Sequence, residues 1–454
     1  MNDKRLIDAD KPLSKSLIWN IQRAYFQKAG MQAWQDDVVP HAISCNPFMA
    51  RAYARLIVGY LQDCAADLDP AAPLYIIELG AGSGRLTHHL IYQLLPMLAG
   101  LANFDQMPQV KFVLTDFTPD VIKFWQQHPK LQQLVAEGIL DFALFDVESP
   151  RHLRLLNSKT TIAPQNSGNP IVLLANYFFD SIPQDSFVIE DGELGANLLS
   201  LYSGQPELDL NAADLWDQLS LAYEPLPLQG PPYETALYND ILADYEAQLP
   251  DTTLTFPHVG LDCLQYWMGF KELLLLTADR GYSHAESLIG QGNPHPNLHG
   301  SFSMMVNYHA ITEFVERSGG RAFVPPHYQD NVQTLAYVLN SAEKEFTAAE
   351  QAFEQSVVHN GPDDYFALRQ HLLKQIPEMA IDQFLSLMRW SADEADVLRP
   401  GLDHLASWVE QEPAWQEDVL DMLERVKAQY LAIRSDDDLI LKIDQLIDQI
   451  APEE

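Results

Sequence analysis

Between residues 74 and 339 the chain alternates two kinds of hydrophobic pattern. LYIIEL (74–79), VKFVLTD (110–116), ILDFALFD (139–146) and PIVLLAN (170–176) are short, nearly continuous apolar runs. KELLLLTAD (271–279) and Thr334–Leu339 repeat the pattern further on. Between them apolar residues recur every three or four positions. Leu86, Leu90, Leu94 and Leu98 mark one helix that stops near Gly100. Thr118-Pro119 opens another that carries Val121, Ile122, Phe124 and Trp125, and Tyr308–Arg317 is a third. Apolar strands separated by helices predict a doubly wound, mostly parallel, Rossmann-like α/β sheet covered on both faces.

The flanks read differently. Residues 14–66 show helical spacing at Leu17, Ile21, Tyr25 and Phe26, then at Ala50, Tyr53, Ala54, Ile57 and Leu61. Asn46-Pro47 fits the start of the second helix, Asn as cap and Pro in the first turn. Three units are expected: an N-terminal helical segment (1–70), the sheet domain (71–340) with a Pro-, Asp- and Leu-rich insertion at 190–270, and a helical C-terminal domain (342–454). The last reads as a degenerate helix-hairpin array.

Charge narrows the partners. The chain has 63 acidic and 28 basic residues, a formal net charge of -35. Such a chain repels phosphate backbones and anionic membrane surfaces, so neither nucleic acid nor a membrane is expected. The C-terminal helices are a candidate docking site for a protein partner or protein substrate. Cys45, Cys64 and Cys263 are widely spaced and show neither a disulfide framework nor a zinc spacing. With no apolar leader and no run long enough to span a bilayer, the expectation is a cytoplasmic protein. Oligomeric state is not legible.

The strongest chemical signal is Glu78-Leu79-Gly80-Ala81-Gly82-Ser83-Gly84-Arg85, set between a strand and a helix. Glycines there let the backbone turn sharply and approach a ligand, and the following helix points amide N–H groups at it. Dinucleotide sites space their glycines as G-x-G-x-x-G/A. Here the third comes one residue early and Arg85 takes the last small residue's place, which disfavours a nicotinamide dehydrogenase. Asp116 ends the second strand, where a carboxylate accepts bonds from ribose hydroxyls. Asp146 ends the third strand, beside Val147, and Asn176 ends the fourth, followed by Tyr177, Phe178, Phe179 and Asp180. Ligands of open α/β sheets sit outside the carboxyl ends of the strands. Each residue also has a plainer reading: a turn without a ligand, a solvated strand-end acid, a core aromatic. His284, His295, His299 and His309 lie close in sequence, but no metal site is expected; their segment reads as a lid on the substrate side.

The tight glycine spacing, with an acid two residues before the first glycine, resembles motif I of the class I S-adenosylmethionine (SAM)-dependent methyltransferases. The segment from Ala175 to Pro183 is similar to the Ala-Asn-Glu-Phe-Phe-Asp-Ala-Leu-Pro stretch of the MidA-like methyltransferases, which include the mitochondrial complex I assembly methyltransferase. Asp279-Arg280-Gly281-Tyr282 resembles that family's Asp-Tyr-Gly. Ser301–Tyr308 resembles its Asp-Leu-Thr-x-His-Val-Asp-Phe. The likeness runs in order through residues 45–340. Tyr177 stands where the family has Glu, Met305 where it has His, and Asn307 where it often has Asp. The resemblance implies a class I methyltransferase-type fold, SAM as methyl donor, and an adenine site with a carboxylate at Asp146 and an apolar neighbour at Val147. Donor binding is thereby assigned to Glu78, Gly80, Gly82, Gly84, Asp116, Asp146 and Val147, and acceptor positioning to Asn176 and Asp180. The acceptor is a protein side chain such as arginine, or a small molecule. The alternative, which the departures at Tyr177 and Met305 favour, is a non-catalytic assembly protein that keeps the SAM fold.

Overall fold

The computed structural model describes residues 5–35, 43–101, 107–150, 152–205, 215–299, 301–341 and 344–451. The apolar runs form one seven-stranded sheet. Its strands are β1 (Leu74–Glu78), β2 (Val110–Asp116), β3 (Leu140–Leu144), β4 (Ile171–Asn176), β5 (Leu273–Asp279), β6 (Arg321–Phe323) and β7 (Gln333–Leu339). In space the order is β6-β7-β5-β4-β1-β2-β3. β1 through β5 are parallel, with Tyr75 opposite Ile171 and Leu273 opposite Ile171 across β4. β7 runs antiparallel to β5, Leu339 facing Leu273. The order reverses between β1 and β4, and that switch point is where an open α/β sheet leaves a crevice.

Alternate residues of each strand point to opposite faces, and each face has its own core. Ile76, Phe112, Leu114, Val172 and Leu274 pack with Tyr53, Ile57, Leu86, Leu90 and Trp125. Ile77, Val113, Leu173 and Leu275 pack with Ile241, Leu264, Trp267, Ile311 and Phe314. The sheet is therefore doubly wound, as its continuous apolar strands predict.

Four helices matter for the site: α1 (Leu17–Ala29), α2 (Gln32–Gln35), α3 (Pro47–Asp63) and α4 (Arg85–Ala99). The start of α3 is the one expected: Pro47 is its first residue and the Asn46 side chain accepts from Met49 N at 2.8 Å.

The expected unit boundaries change in three places. The 1–70 segment is not wholly helical, because Arg5–Lys11 is a strand paired antiparallel with Glu193–Ser203. Its residues are largely exposed, so it carries no apolar period to announce it. The 190–270 stretch is more than an insertion. Its strands form a second, five-stranded antiparallel sheet with Asp185–Glu190 and the N-terminal strand. Its helices Ala236–Gln248 and His258–Trp267 supply one face of the main core. The third change concerns residue 342. Helix Thr347–Phe353 lies against α3, where Asp63 accepts the amides of Ala348 and Ala349 at 3.1 and 2.9 Å. A Cβ at Gly59 would come within 2.6 Å of the Ala348 carbonyl oxygen, so only glycine allows that approach. Phe346, Ala349, Phe353 and Val357 belong to the sheet's own core. A separate apolar cluster begins at Ile376 and runs to Leu446 through helices including Ile381–Trp390, Leu402–Gln411, Gln416–Gln429 and Leu439–Ile450. Among the described residues no helix is long and apolar enough to cross a membrane.

Candidate functional site

A cavity of about 470 Å³ opens at the carboxyl ends of β1 to β5. That is within the size range of small-molecule sites. It is lined by Glu78, Gly80, Asp116, Asp146, Val147, Asn176 and Asp180, all singled out from sequence, and also by Tyr177, Phe178, Arg280 and Ser303.

The three loop glycines have different tasks. All three have left-handed φ, +63° at Gly80, +50° at Gly82 and +77° at Gly84. Gly80 faces the cavity, and a Cβ there would meet Phe178 at 3.3 Å. Gly82 sits against the Trp34 indole, which a Cβ would approach to 2.6 Å. Its amide donates to Asp116 at 3.3 Å, and its carbonyl accepts from Trp125 Nε1 at 3.0 Å. Gly84 packs the loop down onto Leu114 and Trp125, towards the sheet rather than the cavity. The loop is further anchored by Ala81 N donating to Thr115 O at 2.8 Å.

Buried acids lie at the ends of neighbouring strands and in the turn that follows β4. Glu78 turns one carboxylate oxygen to Thr87, accepting its amide at 3.2 Å and its hydroxyl at 2.5 Å. Burial pushes Glu78 up to about 7, against the Thr87 bonds and with help from the nearby Asp116 charge. Asp116 accepts the Thr118 amide at 2.7 Å, and burial raises it to about 6. Asp180 accepts the Ser181 hydroxyl at 2.8 Å. Burial raises it to about 7, opposed by Ser181, Ser303 and the Arg280 charge. Behind it, fully buried Asp279 accepts the Phe179 amide at 3.1 Å and the Tyr308 hydroxyl at 3.0 Å. Burial first, and then Asp180, hold Asp279 well above the usual carboxylate range. A cavity bordered by carboxylates that resist ionisation has a standing preference for a ligand that brings positive charge or hydrogen-bond donors.

The remaining sequence candidates are placed as follows. Asn176 accepts from Tyr53 OH at 2.7 Å and donates to Ser44 O at 3.0 Å, so one end of its amide ties β4 to α3 and the other to the segment before it. Tyr177 follows with φ +50°, a costly conformation for an aromatic residue, on the cavity wall. Asp146 is held by Arg23 of α1, with N–O distances of 2.7 and 3.2 Å. The same guanidinium reaches Glu148 at 2.9 Å and lies 4.6 Å from the centroid of the Phe117 ring. His284, His295 and His309 form no group of three metal-ligating residues among the described residues. His309 instead meets Tyr245 OH at 2.9 Å. The side chain of His299 lies outside the described residues.

Sequence reasoning missed an entire wall. Trp19, Gln22, Arg23 and Phe26 of α1 and Trp34 of α2 close one side of the cavity, and Asp330 and Asn331 add to another. The signal available was modest: a helix carrying Gln22-Arg23 among aromatics, ahead of the first strand.

No family model matches the chain, and no curated protein matches it. Among solved structures it is similar to a COG1565 superfamily protein from Burkholderia thailandensis, at 15% identity and a TM-score of 0.42, covering 70% of this chain and 73% of that one. A second COG1565 superfamily member from Burkholderia thailandensis, bound to S-adenosyl-homocysteine, aligns at 12% identity and a TM-score of 0.47 over 77% of this chain and 91% of that one. The CurJ carbon methyltransferase aligns at 10% identity and a TM-score of 0.31, covering 70% and 60% respectively.

Proposed function

We propose that the protein is a SAM-dependent methyltransferase whose donor lies along the ends of β1, β2 and β3 and whose acceptor enters beside β4 and β5. The observation that carries this reading is one continuous cavity that joins the glycine loop and the strand-end acids to the Asn176–Pro183 turn and Arg280. Glu78, Gly80, Asp116, Asp146 and Val147 would hold the donor, Asp116 through the ribose hydroxyls, Asp146 through the adenine amino group and Val147 against the adenine ring. Bound SAM supplies a methyl group already activated on a sulfonium. The protein's work is then to orient the acceptor, exclude water and receive a proton. The acids on the cavity wall suit a donor that carries a sulfonium and an ammonium, and Phe178 and Tyr177 add π faces near the strand-end turn. The acceptor is a protein side chain such as arginine, or a small molecule.

Thermal shift with SAM, S-adenosyl-homocysteine (SAH) and NADH tests the donor assignment. SAM and SAH should raise the melting temperature by mass action. Stabilisation by NADH and not by SAM or SAH would refute it. A second reading, a non-catalytic protein that keeps the fold, is favoured by Asn176, whose amide is engaged at both ends. That reading requires SAH binding without any conversion of SAM to SAH, with protein or small-molecule acceptors present.

A further inference from the structure

After helix Gln416–Gln429 the chain does not stay within the C-terminal helical cluster. It crosses back to the start of α4, to α2, and to His128 and Lys130. Lys130 Nζ meets the end of that helix, donating to Lys427 O at 2.6 Å and Ala428 O at 3.1 Å. Arg85, the first residue of α4, donates from Nε to Leu431 O at 3.1 Å. His128 Nε2 lies 2.9 Å from Ala432 O. Gln35 Nε2 donates to Ile433 O at 2.6 Å, and Arg434 Nη1 donates back to Gln35 O at 3.3 Å. Leu431 and Ile433 are buried in the main sheet's core, together with Met31, Ala81 and Leu86, and not in the C-terminal cluster.

What this strap holds is α2, a single turn of helix that carries Trp34. One turn is far too short to be stable on its own, so its position is set by what it packs against. The Trp34 ring stands on Gly82 and lines the cavity. Its ring neighbour is Phe26, 5.8 Å away between centroids, and the residue that follows it, Gln35, is the one the strap bonds. We infer that residues 431–434 are a positioning element of the donor site: by gripping Gln35 they seat the Trp34 indole on Gly82 as the roof of the glycine loop. This inference rests on the methyltransferase reading of the cavity. It makes the C-terminal unit part of donor binding and gives any partner of that unit a route to the loop.

A double-mutant cycle in the full-length protein tests it, with SAH binding read by calorimetry. Trp34→Ala should weaken SAH by about tenfold and Gln35→Ala by about fivefold, and Trp34→Phe should stay within about threefold of wild type, which is the scale of one contact or hydrogen bond. The decisive outcome is non-additivity. If Gln35 acts through Trp34, the double variant binds no more weakly than Trp34→Ala alone. Losses that simply add, or a Gln35→Ala protein with wild-type affinity, overturn the inference. Hydrogen exchange of the 80–86 amides without ligand is the second readout. It should quicken in both single variants, and unchanged exchange in Gln35→Ala overturns the inference even if SAH proves not to bind. Failure of the wild type to bind SAH, with faster 80–86 exchange in both variants, instead refutes the donor reading and leaves the strap's grip on the loop supported.

Discussion

Arg23→Met is the most discriminating perturbation of the end of the cavity that the proposed donor reading gives to adenine. The donor reading needs the Asp146 carboxylate for the adenine amino group, yet Arg23 already holds it at 2.7 Å while reaching Glu148 at 2.9 Å and covering Phe117. Ligand and Arg23 then compete for one carboxylate, and the outcome depends on how strongly Arg23 is held. The side chains of Arg23, Asp146 and Glu148 keep 27%, 36% and 43% of their exposure, so both ion pairs are well solvated. Exposed pairs of that kind contribute about 0–1 kcal/mol each after solvent screening, and an exposed cation–π contact about 0.5–1 kcal/mol. Together these come to about 0.5–3 kcal/mol, and rehydration of the displaced guanidinium returns about half, which leaves a cost to the ligand of about 0.3–1.5 kcal/mol. Methionine keeps the apolar stem and removes the charge. The variant should therefore bind SAH about two- to tenfold more tightly. Salt gives an independent check. SAH is net neutral, so in the wild type its affinity should rise as added salt screens the competing ion pairs, whereas the variant should respond little. Calorimetry at low and high salt measures both. Weaker SAH binding by Arg23→Met would rule out competition and make Arg23 a ligand contact.

Two further outcomes follow from the acids. Asp116→Ala should weaken SAH by about 1.5–3 kcal/mol, the range for a hydrogen bond to a charged group; unchanged affinity by calorimetry would move the ribose contact elsewhere. Asp180, raised by burial from 3.8 to about 7, opposes folding increasingly as pH climbs from its unfolded value, and fully once pH exceeds the folded one. Asp180→Asn should accordingly raise the melting temperature most in alkaline buffer, with the gain vanishing towards about pH 4; a difference that does not vary with pH would deny the raised value.

The sheet was legible because burial on both faces leaves a parallel strand no choice but a continuous apolar run. β1, β2, β4 and β5 show this directly, with every residue of β1, β4 and β5 buried. The strand Arg5–Lys11 was not legible, because its residues are mostly exposed and its partner lies some 190 positions away. The helices of 236–267 were hidden for another reason: they follow a stretch whose strands belong to a different sheet, so the alternation that marks the main domain is interrupted before it resumes. At the other end of the domain, helical periodicity from 342 onward gave the secondary structure. It gave no hint that the first of those helices packs on Gly59 of α3 while those beyond Ile376 build their own core.

The cavity divides along the same line. Glu78, Asp116, Asp146 and Asn176 occupy strand ends, and in an open parallel sheet a strand's end is already a position in space, so chain order alone brings them together. Arg23, Trp34, Asp330 and Asn331 reach the cavity only through contacts between distant segments. Asp330 and Asn331 show how such contacts are set. Asp363, beside Pro362 at the start of helix Pro362–Leu373, accepts the amides of Asp330, Asn331 and Val332 at 3.3, 2.8 and 3.1 Å. Three backbone donors on one carboxylate that is only 9% exposed fix a loop that has no regular structure of its own. In sequence Asp363 is one acid among 63, in a Pro-Asp-Asp that reads as an ordinary helix start. Nothing local separates a carboxylate that caps its own helix from one that pins a loop about 30 residues upstream, because the distinction lies in the partner's amides, and backbone amides carry no sequence signature. The walls built by strand ends can be read from order and periodicity, and the walls built by caps and straps become visible only when the donors and acceptors are paired in space.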